Sequence, residues 1–371
     1  MLIQLAIKGL FVAMIPLVMI WVSNNANKYR KLVWATVFFT FDLIMFGAFT
    51  RLTDSGLGCP DWPGCFGQAN PWQAMSDIRA AEALMPDGPV TVMKAWIEML
   101  HRYFAMGVGV LIITIMVISW RGWLKSAKQD PRFSPGLPIA LFLFVCVQGA
   151  FGAWTVTMKL QPVIVTIHLL LGMGLLAMLV WMGMRQNEPL HVGPQGGALR
   201  VPALIVLVLL TIQIALGGWV STNYAVLACT DFPLCHGQLV PEMDFQHGFS
   251  LWRELGKTVN GEYMPFAALV AIHWTHRMFA FIVIAAVAWL TYRARKVAGL
   301  EKLGNWLLAA IALQFFTGVA TIFLEWPLVL AVMHNGGAAL LVLLLVMLNY
   351  RTRRTAQALS SDALPTRLSA A

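Results

Sequence analysis

Residues 47–68 read GAFTRLTDSGLGCPDWPGCFGQ, and residues 217–238 read GGWVSTNYAVLACTDFPLCHGQ. At a fixed offset of 170, Cys59 aligns with Cys229, Cys65 with Cys235, Asp61 with Asp231, Pro63 with Pro233, and Gly67-Gln68 with Gly237-Gln238. The likeness continues beyond the loop. His101-Arg102 matches His276-Arg277. Gln148, Gly152 and His168 match Gln314, Gly318 and His334, with 20 residues from Gln to His in both copies. A chain that repeats two Cys pairs and two His pairs in one order is built twice from the same unit, and that decides the fold.

Each copy is embedded in apolar sequence. Of the 371 residues, 59% are hydrophobic and 12% charged, against roughly 25% charged in soluble domains, and the mean hydropathy is +0.71. This excludes a soluble enzyme, a disordered protein and a nucleic-acid binder, despite a net charge of +9. In a membrane protein such a surplus of Lys and Arg belongs to the cytoplasmic loops. A spanning helix takes about 20 mostly apolar residues. Nine such stretches lie near 2–22, 32–50, 93–120, 138–158, 163–184, 201–222, 264–292, 304–324 and 328–350. The chain therefore reads as an all-α polytopic membrane protein. Two pseudo-symmetric four-helix bundles form a parallel repeat about an axis along the membrane normal, and one extra N-terminal helix precedes them. The expected divisions are 1–31 (extra helix and basic loop), 32–185 (first half), 186–200 (linker), 201–350 (second half) and 351–371 (a disordered tail).

Charge sets the orientation. The first stretch lacks an A-x-A cleavage site and is followed by Lys28, Arg30 and Lys31, so it reads as an uncleaved helix. Segments 23–31, 121–137, 185–200, 293–303 and 351–371 hold 3, 4, 2, 4 and 4 Lys or Arg, which is 17 of the 26. The long opposite loops, 51–92 and 223–263, hold two each and are rich in Asp and Glu. The cysteine loops are thus expected outside and the C-terminus in the cytoplasm. The N-terminus lacks the Arg- and Ser-rich character of a transit peptide, which favours a bacterial inner membrane with periplasmic cysteine loops. On that oxidising side disulfides Cys59–Cys65 and Cys229–Cys235 are expected to pin each loop; a redox role for the first pair stays open. Cys146, alone in a helix, is expected to pack as a small hydrophobe.

Five of the eight His, namely His101, His168, His273, His276 and His334, fall within spanning stretches, where ionisable groups are costly and functional. Two per copy, on the second and fourth helices of each unit, place imidazoles across a bundle from one another. That arrangement suits axial ligation of haem. Zinc is the competing metal, but it wants three or four convergent ligands. Arg102 and Arg277 follow the ligands and suit propionate carboxylates, or else snorkel to the interface. Glu98 lies three residues before His101 on the same helical face, and the matching position in the second copy is His273. A carboxylate beside such a site suits proton transfer or stabilisation of developing positive charge. One copy reads as a plain bis-His electron-transfer site, and the other as that site with a reactive group added. The pattern Q-x3-G-x-W at Gln148/Gly152/Trp154 and Gln213/Gly217/Trp219 is expected to serve helix packing.

RLTDSGLGCPDWPGC (51–65), EMLHRYFA (98–105), QGAFGAWTV (148–156) with His168, IHWTHR (272–277) and MHNGGA (333–338) together resemble the haem A synthase family over about residues 32–350. The helix at 2–22 is extra to that family's eight-helix core. The resemblance implies an oxidoreductase that converts the C8 methyl of haem O to a formyl group by successive hydroxylations, supplying haem A to terminal oxidases. Carried onto this chain, it implies substrate haem between His101 and His168, and a b-type haem cofactor between His276 and His334, whose iron these two ligate. It makes Glu98 the catalytic carboxylate. It also suggests haem O synthase as a neighbour, and biosynthetic membrane enzymes of this kind often form homo-oligomers.

Two further classes compete. A dihaem b-type membrane electron carrier explains four His but neither Glu98 nor the two cysteine loops. A transporter also uses parallel repeats, yet both His pairs sit toward one face and no helix is interrupted.

Overall fold

In lipid a backbone satisfies its own N–H and C=O groups only as a helix or a closed barrel, and this chain takes the first course. The computed structural model describes residues 1–24, 27–188 and 190–362. Its helices are α1 (Leu2–Val22), α2 (Lys28–Leu52), α3 (Met75–Leu84), α4 (Val92–Lys125), α5 (Gly136–Thr157), α6 (Pro162–Gln186), α7 (Arg200–Thr222), α8 (Phe245–Gly248), α9 (Phe266–Ala294), α10 (Glu301–Phe323) and α11 (Leu328–Asp362). Among the described residues nine helices are long and apolar enough to cross a membrane, one for each expected stretch. The short α3 and α8 lie in the two long loops, where hydropathy gives no signal. Helix starts follow local chemistry: the side chains of Asn27 and Thr91 accept from the N–H groups of Arg30 and Lys94 at 3.0 and 3.2 Å.

In the first repeat α2 packs on α4 and α6, and α5 also packs on α4 and α6. In the second, α7 packs on α9 and α11, and α10 also packs on α9 and α11. The two circuits meet where α2 touches α11, α6 touches α7, and α6 touches α11. Small residues let this seam close. Gly218 of α7 lies against Leu169 and Thr166 of α6, and Gly336 of α11 against Met45 of α2. At the loop end polar bonds span the same seam. Arg51 Nη2 donates to the Ser221 carbonyl at 2.7 Å, and the Tyr224 hydroxyl donates to Asp54 Oδ1 at 2.7 Å. Deeper along the helices one apolar core runs through both circuits, with Leu111, Ile115, Leu141, Leu176, Leu290 and Leu307 fully buried.

The extra helix α1 docks on α4 and touches α2. A Cβ at Gly9 would fall 2.6 Å from Met106 Cβ, and one at Gly107 would fall 2.7 Å from Val12 Cγ1. Leu5 is buried with Cys59, Cys65, Met99 and Tyr103, and the Lys8 ammonium stands 5.1 Å over the Tyr103 ring. Thus α1 braces the first cysteine loop from the side. Among the described residues the second repeat has no counterpart: Phe281 and Ile282, which match Met106 and Gly107, are 41% and 54% exposed. Overpacking a close helix contact costs about 1–3 kcal/mol. Gly107→Leu is therefore expected to lower the Tm of the detergent-solubilised protein and to open α1 to protease, whereas Ile282→Leu leaves both unchanged. Equal behaviour of the two variants would refute the brace.

Two expectations are corrected. The tail is not disordered from 351: α11 continues to Asp362. Asn349 donates to the Ala203 carbonyl at 3.0 Å and Arg351 to the Gly299 carbonyl at 3.3 Å, which ties this end of α11 to α7 and to the α9–α10 turn. Residues 363–371 lie outside the described residues. Cys146 does not pack but is exposed on α5, where a thiol faces lipid without cost because it behaves as a small hydrophobe.

Candidate functional site

The two cysteine loops are one object built twice. Disulfides join Cys59 to Cys65 and Cys229 to Cys235, with Cα atoms 4.9 Å apart in each, and all four cysteines are buried. The Asp61 carboxylate accepts from the N–H groups of Phe66 and Gly67 at 2.6 and 2.7 Å. The Asp231 carboxylate accepts from His236 and Gly237 at 2.8 and 2.9 Å. The paired donors have φ of 49° and 70° in the first loop, and 52° and 72° in the second. That left-handed pair favours Gly at its second position and aims successive N–H groups at one anion. These donors hold the Asp231 carboxyl below the usual carboxylate range. Iodoacetamide on the unfolded, unreduced chain is expected to label Cys146 alone, and reduction to expose four more thiols. Labelling of five without reductant would exclude the disulfides.

Arg102 and Arg277 hold the loops onto the helices. Arg102 Nη1 donates to the carbonyls of Asp61, Pro63 and Gly64 at 3.1, 3.2 and 2.6 Å. Arg277 donates to Asp231 and Leu234 at 2.7 and 2.6 Å, and to Cys229 at 3.1 Å. This loop clamp is a task that the sequence did not suggest for either arginine. The close approach of the first loop to α4 also needs Gly58, whose Cβ would run into the backbone of Lys94 and Ala95.

Beneath the first loop Glu98 is buried at 4% exposure. It is ion-paired with Arg102 one turn along α4, and its Oε2 accepts from the Cys59 N–H at 2.8 Å. At the matching position His273 is buried too, its Nε2 3.5 Å from Arg277 Nη2. The difference seen in sequence therefore falls at one equivalent point in three dimensions.

The four remaining helical imidazoles share one pose. His101 of α4 is seated on Gly47 of α2, His168 of α6 on Gly152 of α5, His276 of α9 on Gly217 of α7, and His334 of α11 on Gly318 of α10. A Cβ at these glycines would meet the ring Cε1 at 3.1, 3.1, 3.0 and 3.1 Å. The Q-x3-G pattern is thus packing of a particular kind: the glycine backs a histidine ring, and the glutamine reaches the same ring. Gln148 Nε2 lies 3.5 Å from His168 Nε2, and Gln213 Nε2 lies 3.1 Å from His276 Nδ1. The tryptophans that complete the pattern diverge. Trp154 is 45% exposed, whereas Trp219 is buried and donates to the Gly248 carbonyl at 2.8 Å. Sequence reasoning missed Gly47, where Leu43 replaces the glutamine of the other three seats. Its place opposite Gly217 at the 170-residue offset would have found it.

His101 and His168 stand on α4 and α6, which are each packed on both α2 and α5, and His276 and His334 stand on α9 and α11, which are each packed on both α7 and α10. Each helix circuit thus brings together one imidazole pair from its second and fourth spanning helices. The fit to a haem is good on the atoms present. His101 Nδ1, His168 Nδ1 and the Oε1 atoms of Gln148, Gln213 and Gln314 are all buried without a partner, and polar atoms in such positions ordinarily find one. At His334, Thr317 Oγ1 lies 3.0 Å from Nδ1 and donates its own hydrogen to the Leu313 carbonyl at 2.8 Å. Nδ1 is then the protonated nitrogen, leaving the Nε2 lone pair for iron. The zinc alternative lacks its ligand set, because no three of His, Cys, Asp and Glu converge among the described residues. His236 and His247 are engaged in the loop, on the Ala228 carbonyl at 2.8 Å and on Asp244 at 2.5 Å.

The family model described as cytochrome oxidase assembly protein matches residues 30–346. The chain is 38% identical over 325 residues to a haem A synthase of Shewanella oneidensis, an alignment that covers 86% of this chain and 96% of that protein. It is 28% identical over 336 residues to a haem A synthase of Erythrobacter litoralis, covering 84% and 93%. It is 27% identical over 367 residues to one of Bradyrhizobium diazoefficiens, covering 93% and 97%.

Proposed function

The chain belongs to the cytochrome oxidase assembly protein family, and from that premise we propose that it is a haem A synthase, a membrane oxidoreductase that oxidises the C8 methyl of haem O to a formyl group. In this reading the first repeat binds the substrate between His101 and His168, and the second binds a b-type haem between His276 and His334. Bound there, the b-type haem supplies one-electron transfer.

The residues of the first repeat do the rest. The glycine seats at Gly47 and Gly152 fix both imidazoles, which would hold the substrate macrocycle between α4 and α6 and limit how it can turn. The apolar walls exclude bulk water, which strengthens every electrostatic contact inside. Glu98 is held by Arg102 and the Cys59 N–H close to this site. It offers a carboxylate to take a proton from the methyl-derived alcohol, or to steady positive charge developing at that carbon. Two successive hydroxylations, each taking one oxygen atom and two oxidising equivalents from outside this chain, would give a geminal diol, which loses water to the aldehyde. The cysteine loop, clamped by Arg102, covers the site. Placement of the loops on the periplasmic side of a bacterial inner membrane, proximity to haem O synthase and self-association belong to the same proposal.

The observation that carries the reading is the replacement of His273 by Glu98 at one equivalent point of an otherwise duplicated cradle. An electron carrier with two equal haems has no use for that difference. The test is extraction and mass analysis of haem from membranes that express this chain together with a haem O source. Haem A, or its hydroxylated precursor, is the expected product. Haem B alone at two per chain would overturn the enzyme in favour of the carrier.

A further inference from the structure

A buried guanidinium with no carboxylate beside it is expensive, because isolated charge is costly to desolvate. Arg253, in the long loop between α7 and α9, is such a group. It is 4% exposed and makes no ion pair among the described residues. Its Nη2 donates to Asn223 Oδ1 and its Nη1 to the Lys257 carbonyl at 3.2 Å, while Nε is buried without a partner. Two other buried side chains nearby are orphaned in the same way, Thr258 at Oγ1 and Gln161 at Oε1, at 4% and 8% exposure.

All three line one cavity of about 300 Å³, together with Lys257, Glu254 and Trp252. Gln161 comes from the α5–α6 turn of the first repeat and the others from the loop of the second, so the cavity bridges the two halves. Its wall is preorganised. Thr258 N–H donates to the Glu262 carbonyl at 2.8 Å, and Met264 N–H to the Gly256 carbonyl at 3.0 Å, closing a tight hairpin around Lys257 and Thr258. The one carboxylate, Glu254, is paired with Lys257 at 2.7 Å and also feels Lys159 from the α5–α6 turn. Two lysines thus offset the one carboxylate, and the Arg253 charge is left without a counterion among the described residues. Arg253 Nε–H and the Thr258 hydroxyl are donors without an acceptor on residues that line this cavity, and the Gln161 amide, turned end for end, supplies a third. Trp252 and Val259 on the rim are 66% and 61% exposed, as residues at a headgroup level are.

We propose that this cavity is a phosphate-binding seat that links the two halves on the cysteine-loop side, and that its ligand is a phosphate oxyanion, from an anionic phospholipid headgroup or free in solution. Charge-assisted donors of this kind suit phosphate, and a ligand held by both repeats stabilises the seam it spans. The seat does not rest on the haem reading, and its test reads no activity.

The test uses the full chain purified in mild detergent. Titration with inorganic phosphate is expected to raise the Tm saturably, whereas chloride at equal ionic strength does not. Arg253→Gln is expected to weaken the apparent phosphate affinity at least about tenfold, the loss of one charged hydrogen bond. Should that variant fold poorly, Thr258→Val decides the matter. It keeps shape and breaks no bond seen in the structure, and it is expected to lower the affinity about three- to tenfold. Native mass spectrometry separates the sources. One phosphatidylglycerol retained by the wild type and lost from Thr258→Val identifies a lipid headgroup. No retained lipid with an intact phosphate shift identifies the free ion. An absent shift together with no retained lipid, or an undiminished response in Thr258→Val, would overturn the seat.

Discussion

Glu98→Gln is expected to lower haem O oxidation by about two to four orders of magnitude, the usual scale for loss of a positioned acid or base, while substrate haem stays bound. The substitution is chosen for what it keeps. A glutamine amide oxygen still accepts from the Cys59 N–H now held at 2.8 Å, and it still fills the same volume beneath the loop. What it removes is the charge and its ion pair with Arg102. Two roles make opposite forecasts. If Glu98 only anchors the loop, oxidation falls in step with faster reduction of Cys59–Cys65 by a phosphine, and haem binding loosens. If it acts on the substrate, the reduction rate of that disulfide matches wild type and substrate haem accumulates unoxidised. Wild-type haem A from this variant would end the assignment. If the substrate binds the first repeat as proposed, His273→Glu, the converse change, is expected to leave the second site unable to oxidise.

His276→Ala and His334→Ala are each expected to abolish the low-spin b-type spectrum of the purified protein, leaving the second repeat empty or five-coordinate. A gentler change tests the seat rather than the ligand. A Cβ at Gly318 would lie 3.1 Å from the Cε1 of His334, and α10 and α11 are closely packed, so the ring must give way. Gly318→Val is expected to shift the spectrum toward high spin at unchanged expression, and Gly318→Ala to do so partly. Displacement of one axial ligand without its removal distinguishes a ligand from a merely packed histidine. An unchanged spectrum in all four variants would place the cofactor elsewhere.

Most of this architecture is legible in one dimension. Nine hydropathic stretches, the 170-residue offset and the paired cysteines lead directly to the spans and loops observed, since lipid leaves a backbone few choices. What stays hidden is where polar groups end after folding. Nothing in the string places Arg102 on three loop carbonyls, because recognition of backbone oxygens leaves no residue type to read. The glycine seats are half visible: three carry a glutamine four residues before, but Gly47 does not. The end of α11 is misjudged for a different reason. A charged, polar run after residue 350 suggests disorder, whereas Asn349 and Arg351 bind carbonyls of other helices. Arg253 gives no signal at all, because only the fold reveals that its charge is buried.

The seam between the repeats, α2 on α11, α6 on α7 and α6 on α11, pairs equivalent helices in the manner of a symmetric homodimer, in which one surface meets its own copy. A half-length ancestor pairing in this way would have carried two identical sites, and any substitution would have struck both. A covalent connection between the halves lifts that constraint. Only in a single chain can one cradle acquire Glu98 while the other keeps an imidazole, and only there can α1 shore up one loop and leave its twin bare. The connection between the halves is what lets two like cradles carry unlike residues.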